Sequence, residues 1–141
     1  INPMAQVSRN GGSATKPKIS INENYAKNFS ASITNAYVNE LDVDSRGDVT
    51  GNVIIHNGGV GDLDYRVLGT CEHIDDVIPP VVSDGINRDN GWIVLVTGSI
   101  ATATVPKEYD IANNFYTKIV VQVKFTNATT ITRTWYRGTR N

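Results

Sequence analysis

Carboxylates at alternating positions around a tight glycine turn are the first feature of this chain with a chemistry of their own. The segment Asp42-Val43-Asp44-Ser45-Arg46-Gly47-Asp48 offers hard oxygen donors of the type that Ca2+ gathers, roughly six to eight per ion. It departs from the EF-hand loop, because Arg46 stands at the fifth ligand position and Val53 at the place of the bidentate glutamate. A second acidic loop runs from Asp84 through Gly85 and Asn87 to Asp89 and Asn90, and Asp75-Asp76 forms a further pair. Asp42, Asp44 and Asp48, with Asp84 and Asp89, are therefore the candidate calcium ligands, for an ion shared between loops or between subunits. The competing reading is two acidic β-turns that bind nothing. Arg46-Gly47-Asp48 also spells an RGD tripeptide, a string that arises readily by chance in an acidic turn.

The aromatic residues could do a different kind of work. Trp92, Trp135 and Tyr136 would make a stacking platform for sugars if exposed, and Tyr25, Tyr37, Tyr109 and Tyr116 could extend it. Each tryptophan sits on the apolar side of an alternating run, so burial in the core is the competing expectation. Asn28-Phe29-Ser30 and Asn127-Ala128-Thr129 match the N-glycosylation sequon, which places Asn28 and Asn127 at the surface of a secreted chain.

No catalytic template emerges, and the chain is not expected to be an enzyme. There is no nucleophile elbow, phosphate loop or dinucleotide fingerprint. Glutamate occurs four times only, at Glu23, Glu40, Glu72 and Glu108. The two histidines, His56 and His73, lack the three or four partners that zinc requires, although Cys71-Glu72-His73 has atoms suited to a soft metal. The single cysteine, Cys71, excludes an intramolecular disulfide and is expected to be a small buried hydrophobe, with a reactive or intersubunit thiol as the alternative. No cofactor is required, with calcium the one candidate.

The elements that must position these residues are strands. The 141 residues include 16 valines, 14 isoleucines and 14 threonines against four leucines and one methionine. Branched side chains of that sort suit a pleated surface and lose entropy in a helix. Period-two alternation recurs along the chain. Phe29, Ala31 and Ile33 share one face of a run; so do Val49, Gly51, Val53 and Ile55, and then Leu63, Tyr65 and Val67. Trp92, Val94, Val96 and Ile100 share another, in a run extending to Val105. The clearest is Phe115, Thr117, Ile119, Val121, Val123 and Phe125, opposed by Tyr116, Lys118, Gln122 and Lys124. The last sets Ile131 and Trp135 against Thr130, Thr132 and Thr134. Turn chemistry separates them, including Asn57-Gly58-Gly59, Asp89-Asn90-Gly91 and Asn113-Asn114. The fold class is all-β, an Ig-like or jelly-roll-like sandwich with Greek-key connections.

Residues 1–16 read as an extended N-terminal arm, and 17–141 as the sandwich domain. The arm carries Ile1, Met4 and Val7 among breaker residues such as Asn10-Gly11-Gly12-Ser13. An arm of this type could act as a donor strand, pairing with the sheet edge of a neighbouring copy.

The stretch Gly47-Asp48-Val49-Thr50-Gly51-Asn52-Val53-Ile54-Ile55-His56-Asn57-Gly58-Gly59, continuing to Leu63-Asp64-Tyr65-Arg66-Val67, resembles the Ig-like sandwiches of the CARDB adhesion type. It is also similar to the biofilm-fibre subunits of the TasA sort, with their archaeal pilus and cannula-like relatives. The resemblance covers about a fifth of the chain and implies an extracellular module that assembles or adheres, with no catalytic residue to carry over.

The net charge of −1 and pI near 6.1 argue against nucleic acid, whose phosphates call for a basic surplus. No apolar run approaches the roughly 18 residues of a membrane-spanning helix. The polar positions are rich in Asn, Thr, Gly and Ser, a composition common in secreted, cell-surface and virion proteins. The expected function is a structural subunit of an extracellular filament, tubule or virion surface, whose partners are copies of itself joined by strand exchange. The alternative is a carbohydrate-binding or adhesive module whose partners are glycans.

Overall fold

A computed structural model describes residues 20–28, 37–72, 91–101, 105–125 and 132–140. Eight strands run through them: β1 (Ser20–Asn28), β2 (Val38–Asp44), β3 (Thr50–Asn57), β4 (Leu63–Thr70), β5 (Trp92–Ile100), β6 (Lys107–Ile111), β7 (Lys118–Phe125) and β8 (Thr132–Arg140). They form two four-stranded antiparallel sheets, sheet A in the order β1-β8-β3-β6 and sheet B in the order β2-β7-β4-β5. All successive strands except β4 and β5 lie in opposite sheets. This wrapping is the jelly-roll form of the sandwich, two Greek keys folded across one core. The chain is all-β, as its composition predicts.

The core between the sheets is built from alternate residues. Leu41, Val43, Val53, Ile55, Leu63, Val67, Ile119, Val121, Val123 and Phe125 are buried in one cluster with Tyr65, Ile100, Ile111 and Tyr136. The predicted inward face of β7 is therefore present from Ile119 onward. Phe115 is not part of it: strand pairing begins at Lys118, and Phe115 stands in the preceding loop, 79% exposed. Val49, expected on the face of Val53 and Ile55, also precedes its strand and is exposed.

Two β-bulges redirect side chains in sheet B. In β5, Val96 pairs with Val67 while Val94 pairs with Leu68, which leaves Leu95 as the extra residue. An inserted residue reverses the inside-outside sense of a strand. Val96 and Ile100 consequently join the inner core, whereas Trp92 and Val94 pack with Leu68 and Val120 in a second cluster on the outer side of sheet B. The expectation that Trp92, Val94, Val96 and Ile100 share one face is corrected by this bulge. In β2 the step from Asn39–Gln122 to Leu41–Val121 makes Glu40 the extra residue.

β8 is turned the other way from the expected one. Thr132, Thr134 and Tyr136 point inward and Trp135 points outward. The threonines supply the β-branched packing of the inner face, and the larger indole is left to the outer surface. The run at 29–34, the pair Asp75-Asp76, residues Asp84 and Asp89, and the arm with Ile1, Met4 and Val7 lie outside the described residues, as does Asn127.

Candidate functional site

The acidic turn sits at one end of the sandwich, where β2 crosses to β3. Gly47 takes a φ of 84° there, in the left-handed region that glycine enters freely. Asp48 then points into the protein, with its side chain 0% exposed. Tyr136 donates to Asp48 Oδ2 at 2.6 Å, Asn22 Nδ2 donates to the same oxygen at 3.0 Å, and Arg140 Nε donates to Oδ1 at 2.5 Å. Three side chains from two strands remote in sequence, β1 and β8, thus converge on one carboxylate. Burial, reinforced by the bond to Asp48, pushes the Tyr136 hydroxyl well above the ordinary phenol range, and the same carboxylate raises Arg140. Asn114 holds the turn from the other side, its Nδ2 lying 3.0 Å from Ser45 O and 3.1 Å from Asp48 O.

This geometry separates the predicted calcium ligands. Asp42 lies 3.1 Å from Lys118 Nζ on the neighbouring strand. Asp44 accepts from Arg46 Nε and Nη2, at 3.0 and 2.7 Å, and that guanidinium holds its carboxyl below the usual range. Asp48 is enclosed by Tyr136, Asn22 and Arg140. Among the described residues no three His, Cys, Asp or Glu side chains converge as a metal site would need. The RGD string is likewise not displayed as a recognition loop, since its aspartate is buried and its arginine is bound to Asp44. Cys71, expected to be buried, is exposed at the end of β4, with Sγ 3.4 Å from Phe115 O. Asn28 is the last residue of β1.

The outer face of sheet A carries a second constellation, which register rather than sequence proximity assembles. Alternation along β1, β8, β3 and β6 puts Tyr25, Trp135, Ile54 and Glu108 in one transverse row. Tyr25 is 52% exposed, and its ring lies 5.3 Å from that of Trp135 at an interplanar angle of 36°. Aromatic pairs at this separation are mutually stabilising, and Tyr25 leaves ring surface facing solvent. One row along, Glu23, Arg137, Asn52 and Asp110 stand side by side. Arg137 Nε is 3.0 Å from Glu23 Oε1, and Asn52 Nδ2 donates to Glu108 Oε2 at 3.0 Å and also to Asp110 Oδ1. A shallow groove of about 560 Å3 crosses this polar row between Ile21, Arg137, Asn52 and Asp110. A smaller cleft of about 170 Å3 borders the rings of Tyr25 and Trp135.

Of the residues expected to form a sugar platform, Trp92 and Tyr136 are buried, and Tyr37 covers Arg66 on the other sheet. Trp135 and Tyr25 alone come together at the surface. The polar neighbours Glu23, Asn52, Arg137 and Asp110 escape sequence reading, because only the strand register brings them beside the rings.

No family model matches the chain, and no curated protein matches it. Among solved structures the fold is similar to the crystal structure of the Yersinia pseudotuberculosis-derived mitogen, at 12% identity over 87% of this chain and 86% of that one, with a TM-score of 0.40. It is similar also to the crystal structure of PirA, at 15% identity over 89% of this chain and 99% of that one, with a TM-score of 0.42.

Proposed function

We propose that this protein is a carbohydrate-binding module that takes a glycan on the outer face of sheet A. The observation that supports it is the Tyr25–Trp135 ring pair on the outer sheet face, Tyr25 exposed and Trp135 half-buried, flanked by charged and amide side chains. A pyranose has an apolar C–H face and a rim of hydroxyls. The first packs on an aromatic surface, and the second needs placed donors and acceptors. Glu23, Arg137, Asn52 and Asp110 supply both kinds within one strand row of the rings. Binding sites commonly combine apolar surface with a few polar groups that fix orientation, and sandwiches of the jelly-roll type serve as lectin domains.

Strand exchange through residues 1–16 would use a sheet edge and leave this face uncovered. Assembly of copies and glycan binding are therefore compatible, and an array of such faces would gain avidity.

The test is titration of the full chain with a panel of oligosaccharides, followed by intrinsic tryptophan fluorescence and calorimetry. Trp135→Ala should weaken binding about tenfold or more, the loss expected when an aromatic anchor is truncated, while the circular dichroism stays that of the parent. Absence of binding to every saccharide overturns the reading, as does binding that both Trp135→Ala and Tyr25→Ala leave unchanged.

A further inference from the structure

The row on the other side of the rings from Glu23 and Arg137 is basic. Lys27 pairs with Arg133 in β8, and Arg133 pairs in turn with His56 in β3, all three on the outer face of sheet A. Residues two apart along a strand are about 7 Å apart, and adjacent strands about 4.8 Å. The guanidinium-bearing row therefore starts one side-chain step from Trp135, a distance that a substituent on a stacked pyranose spans.

Charge on this face is segregated. The carboxylates Glu23, Glu108 and Asp110 lie in or beyond the aromatic row, Glu23 beside Arg137 and the other two around the Asn52 amide. The Lys27–Arg133–His56 row holds no carboxylate of β1, β8 or β3. A neutral glycan would make no use of this asymmetry. A sugar bearing an anion on one side of its ring would set that group against Arg133, whose planar donors suit carboxylate and sulfate oxygens, and keep its hydroxyl rim toward Asn52 and Arg137.

We infer that the glycan is an acidic one, a sugar whose carboxylate or sulfate is held by Arg133 while its ring stacks on Trp135 and Tyr25. The inference rests on the carbohydrate reading, but it can fail alone.

The experiment compares a neutral oligosaccharide with its carboxylated and its sulfated counterparts at low and high salt, on the parent chain, Arg133→Gln and Trp135→Ala. The parent should bind at least one anionic form about tenfold more tightly than the neutral one, with a preference that shrinks as salt screens it. Preference for the carboxylated arm identifies a uronic or sialic type of sugar, and for the sulfated arm a sulfated one. Arg133→Gln should erase the preference and leave neutral binding intact, whereas Trp135→Ala should weaken all three. Equal affinity for neutral and anionic forms overturns the inference while leaving the carbohydrate reading standing. So does a preference that Arg133→Gln retains. Absence of all saccharide binding overturns both.

Discussion

Tyr136 donates its hydroxyl hydrogen to Asp48 at 2.6 Å, tying the last strand to the β2–β3 turn across 88 positions of sequence. Both partners are buried. A hydrogen bond to a charged group contributes about 1.5–3 kcal/mol, more than one between neutral groups. Tyr136→Phe keeps the ring and removes only the hydroxyl, so urea denaturation should show a loss of about that size. Asp48→Ala should cost at least as much, since it also takes the acceptor from Asn22 Nδ2. Equal midpoints for Tyr136→Phe and the parent would show that the bond adds no net stability.

The same pair makes a prediction about alkaline pH. Tyr136 holds its proton more tightly in the folded protein than the ordinary phenol value of 10.0, chiefly through burial and then through Asp48. Tyr116 is raised in the same direction by burial. A group with a raised folded pKa gives its full stabilisation below the unfolded value and loses it as pH climbs toward the folded one. Stability should therefore be level to about pH 10 on account of these phenols and fall above it. Tyr136→Phe should fall less steeply there than the parent; parallel curves for the two proteins would contradict the assignment.

Two glycines near this pair are required for opposite reasons. A Cβ at Gly138 would crowd the Asp48 carboxylate and lie 2.7 Å from Tyr136 Oη, whereas a Cβ at Gly47 meets nothing, and only its φ of 84° is demanding. Gly138→Ala should cost about 1–3 kcal/mol through overpacking. Gly47→Ala should cost about 1 kcal/mol through backbone conformation. Asn tolerates the left-handed region, so Gly47→Asn should recover most of the second loss, and Gly138→Asn none of the first. Thermal melts of the four variants check this, and equal rescue at both positions would show that the two sites do not differ in kind.

Some of this was legible in the sequence and some was not, for identifiable reasons. β7 reads plainly because Ile119, Val121, Val123 and Phe125 alternate without interruption and all face the core. β1 does not, because its inward residues are Asn22, Asn24 and Ala26 while Ile21 and Tyr25 face out. The asparagines are inward because they complete the polar cluster at the end of the sandwich, Asn22 binding Asp48 and Asn24 binding Asn22. Hydrophobicity alone would turn Trp135 inward, but register turns it outward, because its threonine neighbours are the residues that fit the narrow inner face. The bulge at Leu95 left no mark in composition at all.

Asp42, Asp44 and Asp48 each face a different cation, Lys118, Arg46 and Arg140. Calcium at millimolar concentration should therefore produce no rise in Tm that Asp44→Asn abolishes, since a ligand stabilises only through a site it binds in the folded state. A rise lost in Asp44→Asn would overturn this geometry. One lost in Asp84→Asn and Asp89→Asn would place an ion at the second acidic loop.

Gln122 provides the last test, on the other sheet. Alternation puts it on the outer face of β7, as expected, yet it is fully buried there. Its Oε1 accepts from Arg66 Nε at 2.6 Å and its Nε2 donates to Asn39 Oδ1 at 2.8 Å, so it bridges β4 and β2. Tyr37 closes over the guanidinium, 4.1 Å from ring centroid to Arg66 Cζ, and desolvation lowers the Arg66 pKa from its ordinary value. A buried cation is costly unless its donors are met. Gln122→Leu preserves approximate volume but removes the acceptor, and should cost about 1.5–3 kcal/mol. Gln122→Glu keeps an acceptor oxygen opposite Arg66 and adds a compensating charge, so it should retain most of the parent stability at neutral pH. Urea midpoints for the two variants decide the point: a leucine variant as stable as the parent, or a glutamate variant no better than leucine, would mean that packing and not the polar bridge holds this side of the sandwich.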